Sequence, residues 1–192
     1  GTASYVVAIS EQAVFDKKRR TNINISARPD KWIVEASNLS SGAVYNWMKK
    51  VLYSETISYD VVNQDIAAAS PLAKGLLMFP DLSGEGCPQW DQYAKGNYMN
   101  IGFQHQRKDF ARATIEGIVS EIAECFFVLA DNIPDINKIT STGGLTRIPM
   151  FNQLIADMID CPINKCITDE TTGVGAWVNA VLALGLYRST DD

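Results

Sequence analysis

Residues 136–159 read INKITSTGGLTRIPMFNQLIADMI and place a strand, a glycine turn and a helix in immediate succession. We predict a short strand over residues 136–140, a turn at Gly143-Gly144 and an amphipathic helix over residues 150–159. One face of that helix is apolar, with side chains at helical spacing contributed by Phe151, Leu154, Ile155 and Met158. A strand followed by a glycine turn and a helix is typical of α/β domains.

Outside this stretch, strand candidates gather in the first third of the chain and helices become more frequent later. Alternating or β-rich segments predict strands over residues 5–9, 22–26, 32–34 and 75–79. Helical spacing of apolar residues predicts helices over residues 41–53, 61–69, 109–129 and 171–187. We therefore predict one α/β domain over residues 1–192, with a mixed β-sheet flanked by helices.

Composition narrows the classes of function. The chain has 192 residues, 46% of them hydrophobic, so a large core is expected. A net charge of −5 argues against binding nucleic acid through its phosphates. One histidine, His105, and four cysteines without a CxxC pair leave little material for a zinc cluster or a Ser/His/Asp triad.

The sequence also bears on where the chain works. No apolar run reaches the roughly 18 residues that span a bilayer, so no membrane segment is expected. Irregularly spaced cysteines favour reduced thiols and a cytoplasmic protein over a disulfide framework. The chain begins with Gly1 rather than methionine, which indicates either a removed tag or a fragment of a longer protein.

The glycine turn Thr142-Gly143-Gly144-Leu145 has two interpretations. Glycines lack Cβ, so the backbone can approach a flat or anionic ligand, and the N-terminus of the following helix would offer free N–H groups. The alternative is an ordinary strand-to-helix turn, because neither a Walker loop nor GxGxxG is present. In a second pair, Gly173-Val-Gly175, the small residues that follow favour close packing of a helix.

The polar loop before Gly96 contains two carboxylates, Glu85 and Asp91. They could form an acid/base pair. We favour a role in ordering the loop, in which acidic side chains accept hydrogen bonds from backbone N–H groups. For His105, at the start of the long helix, we favour a structural or surface role over a catalytic one.

Several segments in the same order resemble the C-terminal half of the FGGY family of carbohydrate kinases, within the actin-like superfamily. The most specific of them is residues 96–116, which fit the family's long signature. The others are Gly1-Thr2-Ala3-Ser4, residues 41–47, residues 75–80 with 82–85 and 88–91, and the set Gly143-Gly144, Asn152-Gln153, Ala156-Asp157, Glu170 and Gly175-Ala176. Gly86 departs from the family's arginine, Asn100 from a signature glycine, and Leu145 from a smaller residue.

The resemblance implies a ribonuclease H-like domain that supplies much of an ATP site. Thr2 would approach the terminal phosphates. Gly42, Tyr45 and Asn46 would line the nucleotide near the phosphates and ribose. The adenosine would be cradled by Gly143, Gly144, Leu145 and Ile148. ATP and Mg²⁺ are the implied cofactors.

The resemblance further implies transfer of the ATP γ-phosphoryl group to a sugar or polyol hydroxyl. In the family the base is an aspartate just before the glycine–threonine turn, so no catalytic residue and no metal ligand is assigned in this chain. The sugar would bind a missing N-terminal domain, and the chain alone is predicted to be inactive. The alternative is a degenerate sensing or assembly module. For the kinase, the sequence does not distinguish xylulose, a gluconate-like acid and other polyols as the acceptor. It also leaves open whether the protein forms a homodimer.

Overall fold

The computed structural model describes residues 2–134, 136 and 138–189. Within these residues, strands dominate the beginning of the chain and helices its remainder, as the sequence predicts. The strands are β1 (Ser4–Ser10), β2 (Asn22–Ile25), β3 (Trp32–Asn38), β4 (Leu77–Phe79), β5 (Asn97–Met99), β6 (Ile139–Ser141) and β7 (Ile163–Lys165). The helices are α1 (Gly42–Leu52), α2 (Tyr59–Ala68), α3 (Arg107–Ala130), α4 (Pro149–Ile159) and α5 (Thr171–Ala183).

The described strands form three small sheets rather than one. β3 lies between β1 and β2 in an antiparallel sheet whose register joins Ser4 to Asn38 and Ser10 to Trp32. β4 pairs antiparallel with β5, and β6 pairs parallel with β7. Sequence reasoning missed β5 and β7, because neither Asn97–Met99 nor Ile163–Lys165 contains an apolar run like that of β4.

The long helix α3 connects the layers of the domain. At its start, Gln106 and Asp109 form a capping box in which the Gln106 N–H donates to Asp109 Oδ2 at 2.8 Å. Further along, the buried Arg112 donates from Nε to Glu116 Oε1 at 2.6 Å, one helical turn away. At Gly117 a Cβ would lie 2.2 Å from the Met78 carbonyl oxygen, so glycine permits β4 to pack directly on the helix.

Two groups of apolar side chains make up the core. The larger is formed by α1, α2, β4, α3 and α4 and includes Met48, Ile66 and Ile115, each fully buried. The smaller lies between β3, α3 and the loop after β4, with Val34, Cys87, Cys125 and Leu129 among its members. No described helix is long and apolar enough to cross a membrane.

Helix α5 differs from the prediction of close packing. Val181 is its buried residue, and Trp177 is 57% exposed. A Cβ added at Gly173 or Gly175 would meet no described atom within 4 Å. The expectation of a tightly packed α5 is therefore wrong for the described residues, because small side chains permit close packing but do not require it.

Candidate nucleotide-binding site

The first predicted site residues meet where β1 begins and α1 starts. The Thr2 carbonyl oxygen accepts hydrogen bonds from Ser41 N at 3.0 Å and Ala43 N at 3.2 Å. Ser4 Oγ donates to Ser41 Oγ at 2.7 Å. These bonds bring Thr2 beside Gly42 although the two are distant in sequence. We call Thr2 together with residues 40–42 the phosphate-side turn; Gly1 lies outside the described residues.

Tyr45 and Asn46, also predicted at this end of the site, have different surroundings. Tyr45 is buried, its hydroxyl donates to Asn63 Oδ1 at 2.7 Å, and its ring stacks on Tyr59 with centroids 5.7 Å apart. Burial raises the pKa of the Tyr45 hydroxyl, so it stays a neutral donor. Asn46 is exposed, and its Oδ1 accepts from the Tyr59 hydroxyl at 2.9 Å. Asn46 is thus accessible to a ligand, whereas Tyr45 holds α1 against α2.

A polar recess lies beside Asn46. Lys49 Nζ lies 4.9 Å from the centroid of the Tyr59 ring and donates to the Glu55 carbonyl oxygen at 2.9 Å. Lys50 pairs with the Glu55 carboxylate at 2.7 Å. Together with Asn46, these residues line a recess of about 340 Å³. Sequence reasoning missed Tyr59 because its contact with α1 depends on the packing of α1 and α2.

The second predicted group forms one turn between β6 and α4. Gly143 has a φ of +101°, a backbone conformation that favours glycine. The Gly143 carbonyl oxygen accepts from Thr146 N at 3.1 Å and from Thr146 Oγ1 at 2.7 Å. A Cβ at Gly143 or Gly144 would meet no described atom within 4 Å. We call residues 143–148 the adenosine-side turn; the backbone of its two glycines borders open space.

Several N–H groups before α4 are not free, although the sequence suggested an open helix N-terminus. Thr146 N donates to Gly143, Ile148 N donates to the Leu145 carbonyl oxygen at 3.0 Å, and Pro149 has no N–H. The turn contains a short 3₁₀ segment, and the N–H groups of Thr146 and Ile148 are bonded within the turn. Thr146, Ile148 and Pro149 therefore do not supply free N–H groups to an anion, which narrows the expectation to the N–H groups of the other residues.

The side chains of this turn point to different surroundings. Ile148 is 3% exposed and belongs to the larger core, while Leu145 is half-buried against that core. Asn152 Nδ2 donates to the Thr146 carbonyl oxygen at 2.7 Å and closes the turn from α4. Ile148 thus anchors the turn, and the glycines provide its open surface.

The adenosine-side turn is also tied to the segment before α5. Arg147 Nε donates to Asp169 Oδ2 at 2.6 Å, and this bond lowers the pKa of the Asp169 carboxyl group. Thr142 Oγ1 donates to the Thr168 carbonyl oxygen at 3.2 Å. Sequence reasoning did not identify Asp169, because no spacing rule relates it to Arg147. Among the described residues, no hydrogen bond joins the two turns.

In the loop between β4 and β5, the Asp91 side chain has the ordering role that the sequence favoured. Asp91 Oδ1 accepts from Tyr93 N at 2.8 Å, and Glu85 N donates to the Asp91 carbonyl oxygen at 2.9 Å. His105 Nδ1 likewise accepts from Gly102 N at 2.9 Å, which confirms a structural role. At Gly86 a Cβ would lie 2.2 Å from the Ser37 carbonyl oxygen, so the loop packs on β3 without room for a side chain.

The implied cofactors differ in how the described residues fit them. The open glycine backbone of the adenosine-side turn and the exposed Thr2 fit a nucleotide. No group of three His, Cys, Asp or Glu side chains with a metal-binding arrangement occurs in the part of the chain that the structure describes.

The fold and the two turns define an α/β domain of the kind that binds a nucleotide at strand-to-helix turns. Residues 1–184 match the C-terminal domain of the FGGY family of carbohydrate kinases. The chain belongs to this family.

Similar proteins agree with this assignment. The chain is 29% identical to a xylulose kinase of Staphylococcus epidermidis over 192 residues, which is 100% of this chain and 38% of that protein. It is 25% identical to a gluconokinase of Bacillus subtilis over 202 residues, covering 100% of this chain and 39% of the relative. The chain therefore spans less than half the length of the curated relatives it matches.

Solved structures confirm the ribonuclease H-like fold class. A ligand-bound xylulose kinase from Lactobacillus acidophilus superposes with a TM-score of 0.86 at 25% identity, over 98% of this chain and 38% of that one. Plasmodium falciparum glycerol kinase with ADP gives a TM-score of 0.84 at 23% identity, over 100% and 38% of the two chains.

Proposed function

We propose that the whole protein is an ATP-dependent kinase of a sugar or polyol and that this domain binds its nucleotide. The observation that carries the proposal is the adenosine-side turn, where the backbone of Gly143 and Gly144 borders open space. Family membership supports the reaction class. The similarity in fold to a glycerol kinase solved with ADP supports a nucleotide as the ligand.

The two turns are assigned to opposite ends of ATP. Thr2 and Gly42 would lie at the terminal phosphates, where a hydroxyl and a glycine backbone can donate to phosphate oxygens. Asn46, which is exposed, would reach the ribose end, and Tyr45 would act by fixing α1. Gly143 and Gly144 would contact the adenosine face, with Leu145 and Ile148 supporting the turn from beneath.

Phosphoryl transfer depends mainly on positioning and on stabilising charge, and Mg²⁺ bound to the phosphates supplies part of that stabilisation. In this proposal the domain orients the nucleotide. The base and the acceptor sugar would belong to a part of the protein outside this chain, so the isolated chain is proposed to bind ATP without turning it over. The relatives include xylulose kinases, gluconokinases and glycerol kinases. The proposed acceptor is therefore a sugar, a sugar acid or a polyol.

Calorimetric titration of the full-length protein with a non-hydrolysable ATP analogue tests the nucleotide site. Gly144→Val should lower affinity at least tenfold, because its side chain would occupy the space assigned to the adenosine. Its circular dichroism and melting temperature should match wild type, since no described atom opposes the new side chain.

Ala183→Val serves as the matched control. It adds apolar bulk to an exposed position about 18 Å along α5 from Thr171, which is the end of the helix near the turn. This variant should bind like wild type. Unchanged affinity in Gly144→Val would refute the placement of the site, and a wild-type protein that does not bind the analogue would refute the nucleotide proposal itself.

The alternative is a family member that binds ligands without catalysis. Gly86 and Leu145 favour it, because both replace residues that the family pattern has at those positions. Sugar-dependent release of ADP by the full-length protein separates the two functions. Release with at least one sugar or polyol supports the kinase, whereas nucleotide binding without release in a broad acceptor panel supports the alternative.

A further inference from the structure

A chain of hydrogen bonds joins the buried side of α3 to the phosphate-side turn. Asn38, the last residue of β3, is 1% exposed, and its Nδ2 donates to Glu121 Oε2 of α3. Its Oδ1 accepts from Ser40 N at 2.7 Å. The next residue, Ser41, donates its N–H to the Thr2 carbonyl oxygen at 3.0 Å. The bonds thus run from α3 through one side chain to the residue assigned to the phosphates.

The Asn38 amide has a defined orientation in this chain. Its NH₂ group is the end that can donate to a carboxyl oxygen, and its carbonyl oxygen is the end that can accept from an N–H. Ser40 is 3% exposed, so loss of the Asn38 oxygen would leave a buried N–H without this partner. The conformation of the turn therefore depends on how Glu121 holds Asn38.

Glu121 lies among other acidic groups. The Asp81 carboxyl group is within hydrogen-bonding reach, Glu85 of the same loop is near, and Glu124 and Cys125 follow on α3. None of the ion pairs among the described residues involves these carboxyl groups. Burial first, and then the charge of Asp81 and its hydrogen bond, raise the pKa of Glu121 to about 9.

Protonation lets Glu121 serve two partners at once. The protonated carboxyl can donate its O–H to the Asp81 carboxylate while its other oxygen accepts from Asn38. An ionised Glu121 would lose the bond to Asp81 and would repel that carboxylate. An ionised Glu121 would still accept from Asn38, so the arrangement around Asn38 is disturbed through repulsion from Asp81, which would move Glu121 and the Asn38 amide bonded to it.

We propose that Asn38 and Glu121 are positioning residues for nucleotide binding, which hold the phosphate-side turn in the conformation that places Thr2 and Gly42 at the phosphates. The inference rests on the proposed function, because it presumes that this turn contacts ATP. It adds two residues that touch no ligand to the set that determines affinity for the phosphate end of the nucleotide.

Steady-state kinetics of the full-length enzyme with an accepted sugar, together with titration of the ATP analogue, test this role. Asn38→Ala and Glu121→Ala should each raise the KM for ATP and weaken analogue binding about tenfold. The KM for the sugar should stay within about twofold, because the turn is assigned to the nucleotide alone. A general loss of folding would instead lower the concentration of active enzyme, and so the apparent kcat, without changing either KM.

Glu121→Gln supplies the conservative rescue. Its amide oxygen can accept from Asn38 and its NH₂ can donate to Asp81, so the KM for ATP at neutral pH should equal that of wild type. The wild-type KM for ATP should rise between about pH 7 and about pH 10, as Glu121 ionises. The variant should lack that rise because its amide does not titrate. Glu124→Gln, one turn on and exposed, should retain the rise at slightly lower pH, because it removes one of the charges that raise the pKa of Glu121 but leaves Glu121 able to titrate.

The outcomes separate this inference from the proposed function. Wild type that does not bind the ATP analogue refutes the function on which the inference rests. If wild type binds but Asn38→Ala and Glu121→Ala bind equally well, the positioning role is wrong. Should the alanine variants fail to fold, the Glu121→Gln profile decides, since a rise with pH equal to that of wild type would overturn the inference.

Discussion

The two turns assigned to the nucleotide are supported in different ways. The phosphate-side turn is held by buried groups, because Asn38, Ser40 and Ser41 are each 3% exposed or less. The adenosine-side turn is held on one side by the core residue Ile148 and on the other by the ion pair of Arg147, whose side chain is 67% exposed, with Asp169. Substitutions near the first turn should therefore affect folding and binding together, while those at the surface of the second should affect binding alone.

The largest effect is expected where a helix that carries a turn meets the core. Met48 of α1 is fully buried, whereas Met158 of α4 is 41% exposed. Met48→Ala should lower the free energy of unfolding by about 2–5 kcal/mol, since it removes buried apolar groups and leaves a cavity. Met158→Ala should cost less than about 1 kcal/mol. Urea unfolding of both variants measures the difference, and equal losses would contradict the contrast between the two helices.

A second pair compares glycines in the two regions. Gly86→Ala should destabilise the protein by about 1–3 kcal/mol, because the new Cβ would press on the Ser37 carbonyl oxygen and displace the loop or β3. Gly144→Ala should change stability by less than about 0.5 kcal/mol, because its Cβ enters open space. Chemical denaturation is the measurement. A neutral Gly86→Ala would show that the loop moves away from β3 at little cost.

The pH dependence of stability tests whether Glu121, which holds Asn38 behind the phosphate-side turn, is protonated in the folded protein. The pKa of Glu121 is raised in the fold to about 9, so the folded state binds this proton more tightly than the unfolded chain does. Its contribution to stability is full below the ordinary glutamate pKa and is lost as pH rises towards and through about 9.

Glu121→Gln should therefore lose less stability than wild type between about pH 6 and about pH 9.5. Melting temperatures across this range provide the comparison. Parallel curves for the two proteins would show that Glu121 is already ionised at neutral pH.

The difference between the turns also explains what the sequence could predict. The helix periodicity of residues 41–53, 109–129 and 150–159 located α1, α3 and α4 to within a few residues, because each has one apolar face towards the core. The glycine pair at 143–144 was visible because it lies within one short segment. Local pattern was thus sufficient wherever the interacting residues are neighbours in sequence.

Contacts between distant segments left no such pattern. Asn38 and Glu121 are 83 residues apart, and the bond between them follows from the packing of β3 on α3. The resemblance to the family places Tyr45 at the nucleotide but does not indicate Asn63. Asn63 accepts from the Tyr45 hydroxyl because α2 packs beside α1. Spacing rules describe one helix or one strand, so they do not reach groups that meet through the tertiary fold.

The smallest effect on folding is expected from the ion pair on the adenosine-side turn. Arg147→Ala removes the bond to Asp169, but the Arg147 side chain is 67% exposed, and ion pairs at the surface contribute little to stability. The melting temperature should not change measurably, at low or high salt. Affinity of the full-length protein for the ATP analogue should fall modestly, about two- to fivefold, because the turn loses one of its ties to the segment before α5. A matched Glu11→Ala variant, which breaks the pair of the exposed Glu11 with the less exposed Lys31 beyond the far end of β1, should leave both quantities unchanged. A clear loss of stability in Arg147→Ala would mean that the adenosine-side turn is as dependent on the fold as the phosphate-side turn, and the contrast between the two would fail.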